Sequence, residues 1–165
     1  MYVIEQASGK KIEVEIVKAT DADLPLIKDK WNFNWKKEFK KDDVEIYVLR
    51  QLDKTESNIE AIMSLKLIKQ DGKKHEHIKM DLLEVAPHNY RSNGQFSRAA
   101  GCLIAFGCEM SFTVDNNYKG WLMFEAKTEI IDLYKNKYGA ELIRSPFMCF
   151  SAQASRVLID KYLTN

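Results

Sequence analysis

Residues 82–107 read LLEVAPHNYRSNGQFSRAAGCLIAFG, and they carry more structural information than any other stretch of the chain. The apolar residues before Pro87 predict a strand that ends there, because proline cannot continue a hydrogen-bond ladder. After a short polar loop, apolar residues recur every three or four positions, which indicates a long helix. We therefore predict a strand, a turn and a helix that opens between Ser92 and Gly94 and ends near Ser111.

The predicted start of this helix is suited to bind an anion. The first N–H groups of a helix have no partner within the helix, and the helix dipole places partial positive charge there. Gly94 would let a phosphate approach the backbone, and Arg91 could add a charge-assisted hydrogen bond. Neither a Walker A loop nor a G-x-G-x-x-G motif is present. Two alternatives stay open, a phosphate-binding loop and an ordinary turn that contains a glycine.

The elements on both sides of this stretch predict a mixed sheet. Alternating apolar residues predict four strands before it, at 11–18, 44–52, 59–70 and 76–85, with a hairpin turn at Asp71-Gly72. Three short strands and two helices are predicted after it, at 121–125, 141–143 and 147–150 and at 128–138 and 152–163. The fold class is therefore α/β, with a mixed, mostly antiparallel central sheet flanked by helices.

The segment that follows the first strand combines helical spacing with positive charge. Its apolar residues lie three or four positions apart and predict a helix, either continuous or broken near Asn32–Asn34: Leu24, Ile27, Trp31, Trp35 and Phe39. Lysines are frequent between Lys28 and Lys41. Basic residues interleaved with aromatics can bind single-stranded nucleic acid, but a lysine-rich outer helix face explains the same pattern. Both alternatives stay open.

Composition limits the class of protein and its partners. The 165 residues are typical of a single domain, 1–165. With 25 Lys+Arg against 24 Asp+Glu, no overall field attracts nucleic acid or an anionic membrane, so we expect neither as a partner. No apolar run approaches the roughly 20 residues of a membrane span, and no leader is recognised, so we expect a cytoplasmic protein.

Neither the cysteines nor the histidines form a recognisable metal site. Cys102, Cys108 and Cys149 are an odd number and lack zinc-binding spacing, which indicates free thiols that pack as small apolar residues. His75 and His77 share one face of a strand, but no third ligand is identifiable. We therefore expect no metal.

Three segments resemble the GNAT-type N-acetyltransferase superfamily. Val85-x-Pro87, followed by Arg91-Ser92-Asn93-Gly94-Gln95-Phe96, resembles the V-x-P and R/Q-x-x-G-x-G/A motifs of that family, although Phe96 stands where the family has glycine or alanine. IVKATDADLPLI (16–27) resembles the family's first strand and helix. LYKNKYGAEL (133–142) resembles its L-Y-x-x-x-G-F helix end, with alanine in place of phenylalanine.

The resemblance implies a GNAT-like fold and an enzyme that transfers an acetyl group from acetyl-CoA to a primary amine, by direct attack in a ternary complex. The coenzyme would be held by backbone groups of seven residues: Val85, Arg91, Ser92, Asn93, Gly94, Gln95 and Phe96. Tyr134 would protonate the departing thiolate, and Glu84, directly or through water, would deprotonate the amine. Glu125 is a second candidate for that base.

Each of these assignments has an alternative. Tyr134 could be a core tyrosine, and Glu84 could be the solvent-facing residue of an alternating strand. If Phe96 closes the loop, the protein would be a catalytically inactive GNAT-like fold that binds a ligand or a protein. The acceptor could be a small molecule or a peptide amine. A homodimer could form through Trp31 and Trp35 if both are exposed.

Overall fold

The computed structural model describes residues 1–26, 29–52, 58–70, 73–90 and 94–164, without the side chains at 70 and 73–75. Their strands form one mixed sheet: β1 (Tyr2–Glu5), β2 (Lys11–Lys18), β3 (Val44–Gln51), β4 (Ile59–Gln70), β5 (Lys73–Val85), β6 (Phe96–Ser97), β7 (Leu122–Glu125), β8 (Glu141–Arg144) and β9 (Phe147–Phe150). The predicted turn at Asp71-Gly72 lies outside the described residues.

Neighbouring strands follow the order β6-β1-β2-β3-β4-β5-β7-β9-β8. Among the described residues, every pair is antiparallel except β5 with β7. The predicted fold class is confirmed. Strands β1 and β6 are absent from the sequence-based prediction, because each is too short to show a clear alternation of apolar residues.

Three helices cover one face of the sheet: α2 (Ala99–Ser111), α3 (Ile131–Tyr138) and α4 (Ala152–Tyr162). Their apolar residues form the main core with strand residues such as Leu49, Met63 and Phe124. Helix α4 packs along α2. A Cβ atom at Gly101 would lie 2.2 Å from the Tyr162 ring, so this close approach requires glycine. None of the described helices is long and apolar enough to cross a bilayer.

A smaller core on the opposite face contains both tryptophans of the N-terminal segment. Trp31 is 8% exposed and Trp35 is fully buried, and both pack near Ile46, Val48 and Ile62. Their spacing correctly indicated an inward-facing apolar stripe. Because they are buried, however, neither tryptophan offers a surface to a second copy of the chain, and that predicted route to a homodimer is wrong.

The helix predicted from Leu24 to Phe39 is also wrong. A 3₁₀ turn at Asp21–Asp23 precedes this segment, and its described part contains a single helical turn, α1 (Trp35–Glu38). The reason is tertiary, because the backbone N–H groups of Asn32 and Phe33 donate to the Glu84 carboxylate instead of closing a helix. The alternative of a break near Asn32–Asn34 locates the irregularity correctly.

Helix α2 starts later than predicted. Phe96 and Ser97 extend the sheet by pairing with Glu5 and Ile4 of β1, so this part of the chain is extended. Arg98 then turns the chain with a left-handed backbone, at φ 77°, and the helix begins at Ala99. The predicted start between Ser92 and Gly94 is therefore wrong, because pairing with β1 overrides the helical spacing of the apolar residues.

Candidate active site

Strand β5 extends beyond the C-terminal end of its parallel neighbour β7, and a cavity lies beside this unpaired end. They pair from Ile78 with Leu122 to Met80 with Phe124, and β5 then continues to Val85 without β7 beside it. The cavity has a volume of about 720 Å³. Its lining includes the end of β5, the segment after β7 and part of the N-terminal loop: 80–85, Glu125, Lys127, Glu129, Ile130, Tyr134, Asn32, Phe33 and Tyr90.

Backbone donors of β5 face this cavity. The N–H of Leu82 donates to Ser64 Oγ at 3.0 Å and the N–H of Ala86 donates to the Glu60 carbonyl oxygen at 2.9 Å, so both point toward β4. Backbone groups of a strand alternate between its two edges. The N–H groups of Leu83 and Val85 therefore point toward β7, beyond the last paired residue, where a bound oxygen could accept from them.

Tyr134 lies in the cavity wall with its ring against Phe124, at 4.7 Å between centroids. No described residue forms a hydrogen bond with its hydroxyl group. Burial raises the pKa of Tyr134 to about 12, so the hydroxyl is protonated at neutral pH. Tyr134 thus packs against the core as a structural tyrosine would and also contributes to the lining of the cavity.

Glu84 lies at the cavity wall but is not solvent-facing, since the residue is 6% exposed. Its Oε1 accepts from the Asn32 backbone N–H at 2.6 Å, from Asn32 Nδ2 at 3.0 Å and from the Tyr90 hydroxyl. Its Oε2 accepts from the Phe33 N–H at 3.2 Å and from Trp35 Nε1 at 3.0 Å. Five donors thus surround a carboxylate that has about four lone-pair positions.

Solved structures with this architecture include acetyltransferases and toxins. The KacTA–DNA complex superposes with a TM-score of 0.62 at 12% identity, over 90% of this chain and 99% of that chain. A mutant AtaT toxin bound to the C-terminus of the antitoxin AtaR and acetyl-CoA superposes with a TM-score of 0.56 at 13% identity, over 88% and 97%. The histone acetyltransferase HPA2 and related acetyltransferase from Corynebacterium glutamicum gives 0.52 at 12% identity, over 90% and 94%. No family model matches the sequence, and no curated protein matches it.

The chain has the GNAT acetyltransferase fold. One of these GNAT-fold structures is a complex with DNA, and another contains an antitoxin segment. The near-neutral net charge therefore does not support the expectation that nucleic acid is excluded as a partner.

The GNAT coenzyme loop predicted at 91–96 is only partly described. Arg91, Ser92 and Asn93 lie outside the described residues. Gly94 is buried, and a Cβ atom there would lie 2.6 Å from the Asn89 carbonyl oxygen. This glycine therefore permits a close approach between two backbone segments of the protein itself.

Gln95 and Phe96 differ from the prediction, because their backbone donors already have partners. The Gln95 N–H donates to the His88 carbonyl oxygen at 2.8 Å, and the Phe96 N–H donates to Asn89 Oδ1 at 2.8 Å. Neither N–H is free for a pyrophosphate. The Phe96 side chain, 6% exposed, joins the main core and is not among the residues that line the cavity.

Free helix donors occur instead at the observed start of α2. The first intrahelical bond runs from the Cys102 N–H to the Arg98 carbonyl oxygen at 2.9 Å, so the N–H groups of the three preceding residues have no helical acceptor. The family's R-x-x-G spacing recurs at Arg98-Ala99-Ala100-Gly101, which sequence reasoning missed. The signal was present, because this second R-x-x-G directly precedes the apolar stripe of α2.

The Arg98 guanidinium is packed rather than free. It lies 4.3 Å from the Tyr2 ring centroid and 4.8 Å from that of Tyr162, and it donates to the Lys161 carbonyl oxygen at 2.8 Å. The positive charge is thus held beside the N-terminus of α2 by contacts with both ends of the chain.

A second buried carboxylate anchors the segment between β5 and α2. Glu60 has no exposed surface and accepts from Gln51 Nε2 at 2.6 Å, from His88 Nε2 at 2.8 Å and from Asn89 Nδ2 at 2.7 Å. Asn89 in turn holds the Phe96 N–H. Glu60 therefore connects β4 to the chain that leads into α2, and sequence reasoning did not single it out.

The cysteines, His77 and the described lysines of the N-terminal segment do not form a further site with other described residues. Among the described residues, no group of three His, Cys, Asp or Glu side chains could hold a metal ion. The three cysteines are buried, and burial raises the pKa of Cys102 to about 11, which keeps this thiol protonated. Lys36 and Lys41 form ion pairs with Asp21 and Glu38, which reduces the basic character of that segment.

Proposed function

We propose that this protein transfers an acetyl group from acetyl-CoA to an amine within a ternary complex. The proposal rests on one observation above all: the cavity at the end of β7 lies beside the Val85 backbone donor and Tyr134, whose hydroxyl has no hydrogen-bond partner among the described residues. A thioester needs both groups, one donor for its carbonyl oxygen and one proton for its leaving sulfur. The GNAT fold of the chain supports the same chemistry.

These groups account for each bond and each proton that changes place in the reaction. The amine nitrogen attacks the thioester carbon, a C–N bond forms and the C–S bond breaks. The N–H of Val85 would stabilise the negative charge that develops on the carbonyl oxygen. The Tyr134 hydroxyl would give its proton to the departing thiolate and recover one from solvent. Holding both reactants in one cavity removes the entropic cost of their encounter.

Removal of the amine proton is assigned to water rather than to Glu84 directly. Five donors already surround the Glu84 carboxylate, which leaves no lone pair directed at a substrate. Glu84 instead holds Asn32, Phe33 and Tyr90 in the cavity wall, where the acceptor would bind. A water molecule that passes the proton to solvent therefore fits this site better than proton transfer to the Glu84 carboxylate.

The coenzyme pyrophosphate is assigned to the start of α2. The N–H groups of Ala99, Ala100 and Gly101 lack helical acceptors, and the positive end of the α2 dipole favours a phosphate there. Arg91, Ser92, Asn93 and Gly94 remain candidates for additional contacts. The acceptor would be a small-molecule or peptide amine, and the setting of the reaction would be cytoplasmic.

The alternative of an inactive binding module has less support. It requires Phe96 to close the coenzyme site, whereas Phe96 packs into the main core beside His88, at 6.1 Å between ring centroids. The cavity beside Tyr134 therefore does not depend on the position of this side chain.

Acetyl-CoA is expected to raise the unfolding temperature of the protein by about 5–10 °C at 100 times its dissociation constant, because binding to the folded state alone adds about 2.7 kcal/mol. The measurement is a thermal unfolding titration, with ATP as a nucleotide control that lacks the pantetheine and thioester. No shift with millimolar acetyl-CoA would contradict the proposed function.

Replacing Glu84 with glutamine is expected to lower the free energy of unfolding by about 1–3 kcal/mol, because an amide group would direct its own hydrogens at donors. The KM for the amine acceptor should rise, whereas the decrease in rate on the acidic side of the pH–rate profile should be unchanged. Urea unfolding and steady-state kinetics measure these effects. Glu129→Gln is the matched control, since it changes an exposed carboxylate of the same cavity that has no assigned role in the reaction.

A different effect of the Glu84→Gln replacement on kcat would identify Glu84 as the general base. Loss of kcat together with loss of the acidic limb, at unchanged stability, would show that its carboxylate accepts the proton directly.

A further inference from the structure

The outer edge of β8 is open and apolar. This strand ends the order of the described strands, and all four of its residues are exposed. Leu142 is 43% exposed and Ile143 is 60% exposed. Exposed sheet edges commonly carry lysine or proline, which oppose pairing with another chain. The sequence of β8, Glu-Leu-Ile-Arg, contains neither, but its first and last residues are charged, so its edge can pair only with a strand that places opposite charges across from them.

A bulge gives this edge a self-complementary charge pattern. Glu141 pairs with Cys149, Leu142 with Met148 and Arg144 with Phe147, so Ile143 is the extra residue. With Ile143 skipped, Glu141 and Arg144 lie on the same face of the sheet, two ladder positions apart, and Leu142 lies between them on the other face.

Both charges lack an ion-pair partner within the described part of the chain. Neither Glu141 nor Arg144 occurs in a salt bridge there, whereas nearby Lys79 pairs with Glu125 at 2.6 Å. If two copies of β8 pair antiparallel about a two-fold axis at Leu142, each Glu141 lies opposite Arg144 of the second copy. The two-fold axis generates a second, identical ion pair, and Leu142 lies opposite Leu142 of the second copy.

Apolar surface continues from this edge onto one face of the sheet. Ile143 and Phe147 line a cavity of about 750 Å³ together with Met123 and Met148. Phe147 is 42% exposed. A second copy paired along β8 would bring more apolar surface toward this region, and burial of such surface favours association.

We infer that two copies of this chain associate through antiparallel pairing of their β8 strands, with two reciprocal Glu141–Arg144 ion pairs. The interface is isologous, because the same patch serves both copies. It joins the two sheets into one and lies two strands away from the β5–β7 cavity. The inference does not depend on the proposed function.

Charge reversal at single positions tests this inference in the full chain. Glu141→Arg places two positive charges opposite each other at both pairs, and Arg144→Glu places two negative charges there. Each variant alone is expected to raise the dissociation constant of the dimer about 10- to 100-fold, because both symmetry-related ion pairs are replaced by pairs of like charge. An equimolar mixture of the two variants should form a heterodimer, since every pair then joins opposite charges.

Sedimentation equilibrium over a concentration series measures these states, and circular dichroism checks that each variant is folded. Glu109→Arg is the matched control, because it makes the same charge change at an exposed position of α2 and should leave the dimer unchanged. A monomeric wild-type chain would overturn the inference. So would dimers that survive both single reversals, or variants that stay monomeric when mixed.

Discussion

Replacing Tyr134 with phenylalanine is expected to lower kcat for acetyl transfer by about 10²-fold or more, the usual contribution of a positioned general acid. The phenylalanine ring keeps the contact with Phe124 but cannot protonate the thiolate. The dissociation constant for acetyl-CoA should stay the same, because the lost hydroxyl acts on the leaving group and not on the bound coenzyme. Single-turnover kinetics and a binding titration measure the two quantities separately.

Tyr138→Phe is the control for this experiment. Tyr138 lies on the same helix, with its ring centroid 6.0 Å from that of Tyr134, and burial raises its pKa as well. It is not among the residues that line the cavity. Its replacement should therefore leave kcat nearly unchanged. Equal losses in both variants would indicate a packing effect of α3 and would remove Tyr134 from its assigned role.

The second large effect is expected at Glu60. Replacing this buried carboxylate with glutamine should lower the free energy of unfolding by about 3 kcal/mol, because unsatisfied buried polar groups each cost about 1–3 kcal/mol. The amide would turn one acceptor oxygen into a donor that faces either Gln51 Nε2, on one side of the group, or His88 Nε2 and Asn89 Nδ2, on the other. Urea unfolding monitored by tryptophan fluorescence measures the change.

Glu45→Gln provides the comparison for Glu60. Glu45 pairs with Lys18 at the surface, where its side chain is 49% exposed. Exposed ion pairs contribute about 0–1 kcal/mol, so this replacement should have a small effect. If both replacements lower stability equally, the hydrogen bonds around Glu60 do not anchor the segment that leads into α2.

The buried carboxylates explain why sequence reasoning failed in the N-terminal segment. The spacing of Trp31 and Trp35 correctly predicted that both face inward. It could not predict that Glu84, about 50 positions later in the chain, would bind the backbone of Asn32 and Phe33. A helix pattern depends on neighbours in sequence, whereas this contact depends on which strand lies beneath the segment.

The coenzyme loop shows the same limit. The order of strand, loop and helix was predictable from residues 82–107, because proline ends strands and apolar spacing marks helices. The start of the helix was not, since it depends on the pairing of Phe96 and Ser97 with β1. Two R-x-x-G spacings occur in this stretch, and only the position of β1 shows that the second one, Arg98–Gly101, opens the helix.

The sequence by itself thus determined the fold class, the strands from β2 to β5, the elements from β7 to α4 and the position of Tyr134 on α3, because these follow from local periodicity and turn residues. Only the tertiary structure decided which donors are free. The N–H of Val85 is available because β7 ends early, and that of Phe96 is not because Asn89 accepts from it. Whether a polar group can act on a substrate depends on the partners that folding leaves it, and partners distant in sequence cannot be predicted from periodicity.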